Sequence, residues 1–304
     1  METLFIDIGS NSIKSLLADF KGGKVAAIAD RSEHSRISSP EGLKPDAVKI
    51  IEDAVSSLCK RSMKNSEKFD VFCFGTSALR ESKNAGEVLA ELKSRGIEIK
   101  VLSGKEEAEL SFEGAMGDSY LNISSDSSVV YGDLGGGSME FVSREKSKII
   151  AMDSLPIGAV RLTNSFTENG VLNRAGLRER CSLLLKRISV PKGDFKLVVA
   201  GGALSAARFI LGNGEFCEKR ELSLDDFKFC LNLADELGAE GLSEKFGTPQ
   251  NRGDILPAAF LCLMEVLRHF KSPFMVHTQI SLRYGVANAF FKYGKSLKKN
   301  LMAD

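Results

Sequence analysis

The stretch Phe5-Ile6-Asp7-Ile8-Gly9-Ser10-Asn11-Ser12 decides the fold once it is set beside Tyr131-Gly132-Asp133-Leu134-Gly135-Gly136-Gly137-Ser138. Each is an apolar strand that ends on Asp, turns through Gly and leaves on Ser. After each, two further strand-like runs follow. In the first half they are Ile13–Phe20 and Lys24–Asp30 around the turn Lys21-Gly22-Gly23; in the second they are Ser138–Ser143 and Lys148–Asp153. Fixed-spacing similarity between two halves of a chain points to a duplicated β-β-β-α unit. The serine-rich, patternless run 119–128 marks the boundary. The expected organisation is therefore an α/β chain of two domains, 1–122 and 127–281.

The remaining pattern is alternating. A helix is expected from Pro45 to Arg61, because Val48, Ile51, Val55 and Leu58 fall at helical spacing. A strand is expected at Phe69–Phe74, a helix at Asn84–Arg95 stopped by Gly96, a strand at Ile97–Leu102 and a helix at Gly104–Met116. The second half reads as helical around one clear strand, Lys196–Val199, with helices near Arg174–Arg187, Leu204–Leu211, Leu224–Leu237, Ile255–Phe270 and Leu282–Leu297.

Composition narrows the function. The 304 residues carry 41 Lys+Arg against 40 Asp+Glu, a formal charge of +1, so any polyanion must be met by a local patch and nucleic acid is not the expected partner. No apolar run approaches the ~18 residues of a membrane span. The N-terminus, broken at Asp7, does not read as a signal peptide. The six cysteines form no CxxC pair and read as reduced core thiols, which fits a cytoplasmic protein. The three histidines are not at metal-ligand spacing, which argues against zinc and against a histidine triad.

The chemistry concentrates in the two turns. Gly lets the backbone approach a ligand, and successive N–H groups make an anion-binding concavity with a hydroxyl beside it. An Asp at that spot repels a bare phosphate unless a cation such as Mg²⁺ stands between them. A single such turn is more often an ordinary hairpin; two at matching positions argue for a phosphate chain and a metal. Glu140, seven residues after Asp133, returns beside it on the next strand, opposite in facing to Met139 and Phe141. It is either a second metal carboxylate or an exposed strand residue. Further on, Ser103 and Glu106 have the spacing of a capping box. Glu107 is then left over, about 100° round the helix. It is either a general base for water or a helix-start Glu that suits the dipole.

Six ordered segments resemble the exopolyphosphatase / guanosine pentaphosphate phosphohydrolase (Ppx/GppA phosphatase) family. They are Asp7–Ser12; Thr76-Ser77-Ala78-Leu79-Arg80-Glu81 with Asn84; Ser103–Phe112; Asp133–Glu140; Ser154–Thr163; and Ala200-Gly201-Gly202. The resemblance runs from residue 5 to about 290. It implies two RNase H-like domains of the actin–Hsp70–sugar kinase superfamily with an interdomain active-site cleft, and a C-terminal helix over about 282–304 that packs back on the first domain. It also implies Mg²⁺-dependent (or Mn²⁺-dependent) hydrolysis of a terminal phosphoanhydride in polyphosphate or guanosine pentaphosphate. By the same resemblance Glu107 is the catalytic base and Arg80 the phosphate-facing arginine. Gly9, Ser10, Asn11 and Ser12 with Asp7 form the first phosphate loop. Gly135, Gly136, Gly137 and Ser138 form the second, and Asp7, Asp133 and Glu140 stand on the metal side. Lys105 and Arg161 are further candidate phosphate contacts. Met139 and Ala203 depart from the family pattern, as does Ser281-Leu282-Arg283-Tyr284-Gly285. The chain resembles a short form without the extra helical domain of longer members, and a homodimer is compatible with it. A small-molecule kinase of the same superfamily and a non-hydrolysing nucleotide sensor are the alternatives. The tail lysines Lys292, Lys295, Lys298 and Lys299 read as a solvated face.

Overall fold

The computed structural model describes residues 2–39, 41–248 and 253–297; Lys298 and Lys299 lie outside the described residues. The chain divides into two compact units, Met1–Gly117 with Ile280–Asp304, and Asp118–Gln279.

The first unit is built on β1 (Thr3–Ile8), β2 (Ser12–Lys21), β3 (Lys24–His34), the short pair β4 (Ser38–Ser39) and β5 (Gly42–Leu43), β6 (Asp70–Gly75) and β7 (Ile99–Val101). Its sheet runs β3-β2-β1-β6-β7: an antiparallel meander from β1 to β3, then β6 and β7 parallel to β1. Strand alternation puts the side chains of β1 on both faces. Leu4, Ile6 and Ile8 join one apolar cluster with Val48, Ile51 and Leu58 of α1 (Ala47–Ser62) and Val88 and Leu92 of α3 (Ala85–Ser94). Phe5 joins the other, with Phe72 and Phe74, Leu110 of α4 (Gly104–Met116), and Leu282 and Val286 of helix Leu282–Tyr293. A strand fully covered on both faces reads as an unbroken apolar run, as Leu4-Phe5-Ile6 does. Each such side chain contributes ~1.5–3 kcal/mol of burial. The short helix α2 (Ser77–Glu81) follows β6.

Helix Leu282–Tyr293 packs on α4 through two glycines. A methyl group at Gly285 would sit 1.7 Å from the Leu110 carbonyl oxygen, and one at Gly114 would sit 2.2 Å from that of Ser281. Only hydrogens fit there, so the approach of the two backbones is fixed by residue type.

The second unit repeats the plan. The strands are β8 (Val129–Leu134), β9 (Met139–Glu145), β10 (Lys148–Leu155), the small hairpin β11 (Thr167–Glu168) and β12 (Val171–Leu172), β13 (Lys196–Gly201), β14 (Glu221–Ser223) and β15 (Phe274–Thr278). The order β10-β9-β8-β13-β15-β14 again starts as a three-strand meander and continues with strands parallel to β8; β14 is an antiparallel edge. Its helices are α5 (Ala159–Phe166), α6 (Arg174–Leu185), α7 (Gly202–Leu211), α8 (Leu224–Phe246) and α9 (Leu256–Phe270).

Three features differ from the sequence expectation. Lys196–Gly201 is joined by β15 and β14, so the second sheet is wider than one strand plus a meander. The helix begun at Leu224 continues past Leu237, with a break at Gly238, whose φ is 64°. The unit boundary falls at Gly117–Asp118, ahead of the serine run. Asp118 is tied into the second unit: its Oδ2 accepts from Arg220 Nη1 at 2.9 Å and from Thr278 Oγ1 at 2.8 Å, and its Oδ1 from the Tyr120 N–H.

His277 on β15 is 1% exposed, and its Nδ1 lies 3.4 Å from Arg208 Nη1. Burial pushes its pKa down to about 3, and the Arg208 and Arg220 charges add to the shift. Below its ordinary value the unfolded chain takes up a proton that the folded chain refuses, so stability falls as pH drops from 6.5 towards about 3. Between about pH 7 and about pH 5 this site costs on the order of 2 kcal/mol. Urea unfolding at the two pH values should show a smaller drop for His277→Gln than for the parent chain. Equal drops would show that the imidazole is not held neutral.

Candidate active site

Parallel strands in an open α/β sheet deliver ligand-binding loops at their carboxyl ends. In the first unit, β1 and β6 end side by side, with Asp7 opposite Phe74 and Ile8 opposite Gly75. The turn after β1 closes with the Gly9 N–H donating to the Ser12 carbonyl at 3.2 Å. Ser10, Asn11 and Ser12 are all buried. The Ser10 and Ser77 hydroxyls lie 3.5 Å apart, which joins the loop to the start of α2. The Asn11 carbonyl accepts from the Ser35 and Arg36 N–H groups.

Arg80 projects from α2 and Glu107 from the first turn of α4. The capping box at the start of α4 is present: Ser103 Oγ accepts from the Glu106 N–H, and the Ser103 N–H donates to Glu106 Oε2 at 2.9 Å. This occupies Glu106 and leaves Glu107 to turn inward, where it is 7% exposed. Arg80 Nη1 donates to Glu107 Oε2 at 2.7 Å and to the Leu102 carbonyl at 3.0 Å. The two residues expected to act on one phosphoryl group thus stand in direct contact. Lys105 points to solvent.

In the second unit the turn after β8 has the same closure: the Gly135 N–H donates to the Ser138 carbonyl at 3.0 Å. Helix α5 braces it. The Ala159 and Arg161 N–H groups donate to the Gly135 and Gly136 carbonyls, and Arg161 Nε donates to the Gly137 carbonyl at 2.6 Å. In a trans peptide C=O and N–H point opposite ways. The N–H groups of Gly136, Gly137 and Ser138 therefore face away from α5, as an anion-binding loop requires. Gly158 permits this brace: a Cβ there would lie 2.4–2.5 Å from backbone atoms of Gly136, Gly137 and Ser138. Arg161 is thus committed, at least through Nε, to holding the loop.

Asp133 and Glu140 are cross-strand partners, so their side chains share a face. Glu140 is 2% exposed, which removes the reading of it as a solvated strand residue. Its Oε1 accepts from Ser154 Oγ at 2.8 Å, and Asp133 Oδ2 accepts from the Tyr131 hydroxyl at 3.3 Å. Met139 is wholly buried on the other face. Asp7 belongs to the first unit, where its cross-strand partner is Lys14. Among the described residues no group of three or more His, Cys, Asp or Glu gathers to hold a metal. The Asp133–Glu140 pair, oxygen donors only, suits a hard cation that keeps several waters.

Sequence reasoning gave no role to Lys14, Tyr131 or Ser154. Lys14 had a signal: it follows Asp7 by the seven residues that separate Glu140 from Asp133. Ser154 and Tyr131 had none, because their contacts depend on strand register.

Two sheets that each begin as a three-strand meander and continue with parallel strands, each with a closed glycine turn after its first strand, define an α/β protein of the actin-like ATPase fold. The chain belongs to the Ppx/GppA phosphatase family, whose model matches residues 39–292. The fold matches the exopolyphosphatase crystal structure from Cytophaga hutchinsonii at a TM-score of 0.81 and 20% identity, covering 96% of this chain and 98% of that one. It matches the Aquifex aeolicus PPX-GPPA enzyme at 0.74 and 22%, covering 95% and 99%. Among curated relatives, exopolyphosphatase 1 of Mycobacterium tuberculosis is 29% identical over 174 residues, 53% of this chain and 47% of that protein. The bifunctional 3-dehydroquinate synthase/phosphatase of Fusobacterium nucleatum is 24% identical over 296 residues, 89% of this chain and 44% of that protein. The chain spans about half the length of the curated relatives it matches.

The brace at Gly158 is testable without knowing the substrate. Gly158→Ala should displace the Gly135–Ser138 loop and lower phosphatase turnover by about 10²-fold, the scale of a 1 Å misplacement. Far-ultraviolet circular dichroism should stay native. Full turnover in a folded Gly158→Ala protein would show that the loop geometry is not set by this contact.

Proposed function

We propose that the chain hydrolyses a terminal phosphoanhydride, releasing orthophosphate from inorganic polyphosphate or the 5′ γ-phosphate from guanosine pentaphosphate. The observation that carries this reading is the contact between half-buried Arg80 and buried Glu107, with a carboxylate oxygen 2.7 Å from a guanidinium nitrogen beside the Gly9–Ser12 turn. The family and the exopolyphosphatases among its relatives support the same chemistry.

In this mechanism Glu107 takes the proton from a water as its oxygen attacks the terminal phosphorus in line. Arg80 forks onto two oxygens of the phosphoryl group, a geometry that lysine does not reproduce. Each unit offers a glycine turn, Gly9–Ser12 in the first and Gly135–Ser138 in the second, whose N–H groups and hydroxyls suit phosphate oxygens. Asp133 and Glu140 would hold Mg²⁺ or Mn²⁺; bound there, the ion would supply charge neutralisation of phosphate oxygens. Little covalent chemistry is asked of the protein, so positioning and electrostatics provide most of the rate.

Orthophosphate release should be measured from polyphosphate, guanosine pentaphosphate and ATP, each with Mg²⁺ and with excess EDTA. Release from one of the first two, abolished by EDTA, is the expected result. ADP formed from ATP with no orthophosphate released, the phosphoryl group passing to an added hydroxyl acceptor, would move the assignment to a kinase, and full activity in EDTA would remove the metal.

The roles of the two adjacent glutamates separate cleanly. Glu107→Gln keeps the shape and loses the base, so turnover should fall ~10²–10⁴-fold while substrate still binds. Glu106→Gln still completes the capping box and should cost little. Equal losses in the two variants would contradict the assignment.

A further inference from the structure

The Gly135–Ser138 loop lies at the carboxyl end of β8, beside that of the parallel strand β13. At the opposite, amino ends of these strands and of β15 the second unit has a separate pocket of about 640 Å³. That is within the range of small-molecule sites, ~300–1,000 Å³. The six residues of β8 separate it from the Gly135–Ser138 loop, a span of ~20 Å at 3.3 Å per residue. It therefore cannot be a subsite of a phosphoryl group held at that loop.

The walls combine two chemistries. Lys146, Lys192 and Lys196 line the pocket with the carboxylates Asp126 and Asp194. With three ammonium groups against two carboxylates, the lining is net positive. Lys196 is committed through Nζ to the Leu121 carbonyl at 2.6 Å. Lys146 sits at a left-handed turn position, φ 53°, at the tip of the β9–β10 hairpin, and Lys192 is exposed in the loop before β13. Beside them are Phe195 and Phe274, and Phe274 is 43% exposed although it opens a strand that is otherwise buried. An exposed aromatic ring on a concave wall, with ammonium groups at its rim, suits a ligand that is flat and apolar at one end and anionic at the other.

We infer that this pocket is a second ligand site, for a small aromatic or heteroaromatic phosphate of the nucleoside monophosphate kind. The ring lies against Phe274 and Phe195, and the phosphate meets Lys146 and Lys192. The inference does not depend on what is hydrolysed at the loops.

The test is calorimetric titration of the intact chain with AMP, at low salt and without substrate. The parent chain should bind AMP saturably in the micromolar-to-millimolar range. Affinity should fall at least about tenfold in Lys146→Glu/Lys192→Glu and likewise in Phe274→Ser, because the first pair removes the charge contacts to the phosphate and the second removes the ring contact. All of these positions are exposed, so the variants should keep the parent's unfolding midpoint. Glu107→Gln should bind AMP as the parent does, which separates this pocket from the hydrolytic site. Inorganic phosphate should bind markedly more weakly than AMP. The proposal is overturned if AMP gives no saturable binding, if the lysine and phenylalanine variants bind it unchanged, or if phosphate alone binds equally well.

Discussion

The contact between Arg80 and Glu107 is the constraint on which the first unit's chemistry depends. A buried carboxylate and a guanidinium each carry a large desolvation cost, and each is tolerable because the other is there. Removing one partner of such a pair typically costs on the order of 3–5 kcal/mol. The contact requires three things of the backbone. Strand β6 must end at Gly75, so that α2 lifts Arg80 to the sheet edge. The Leu102 carbonyl must receive the same guanidinium nitrogen, and the capping box must hold Glu106 outward so that Glu107 turns in. In the proposed mechanism a phosphoryl group arriving at Arg80 would meet a cation already oriented and a carboxylate already placed beside it. Catalysis by preorganised charge needs that arrangement.

The second unit solves a different problem with the same hairpin. Where the first pairs Asp7 with Lys14, the second pairs Asp133 with Glu140. Like charges directly opposite on neighbouring strands destabilise a sheet. The Tyr131 and Ser154 hydroxyls offset part of that cost, and the proposed cation would offset the rest. A local rule broken at one of two equivalent positions marks a place where function outweighs stability. The loop beside it is built with the opposite priority. The carbonyls of Gly135, Gly136 and Gly137 are engaged by α5, and Gly158 is kept free of a side chain so that α5 can come close.

Most of the fold was legible because β1 and β8 are short apolar runs that end on the same Asp-x-Gly turn, and period-two patterning identifies the strands on either side. Helix α4 was legible to the residue, since a capping box starts it and its polar and apolar faces are distinct. Strand β15 was not. Phe274–Thr278 is five residues long, follows Ser272-Pro273 and contains His277, so it lacks the continuous apolar character of a central strand. It is a strand because β13 lies parallel beside it, with Val198 opposite Val276. The continuation of α8 beyond Gly238 was hidden for a similar reason, because a glycine there reads as a stop. At the site, Glu106 could be separated from Glu107 by spacing alone. The contact with Arg80 could not, because the two residues are 27 positions apart and meet only through the order of β6, β7 and α4.

In the proposed mechanism water, deprotonated beside Arg80, attacks the terminal phosphorus. Hydrolysis of polyphosphate in H₂¹⁸O, followed by mass spectrometry of both products, tests this step directly. One ¹⁸O atom should enter each released orthophosphate and none the shortened chain. Label in the shortened chain would mean attack at the neighbouring phosphorus, and unlabelled orthophosphate would mean that water is not the attacking group.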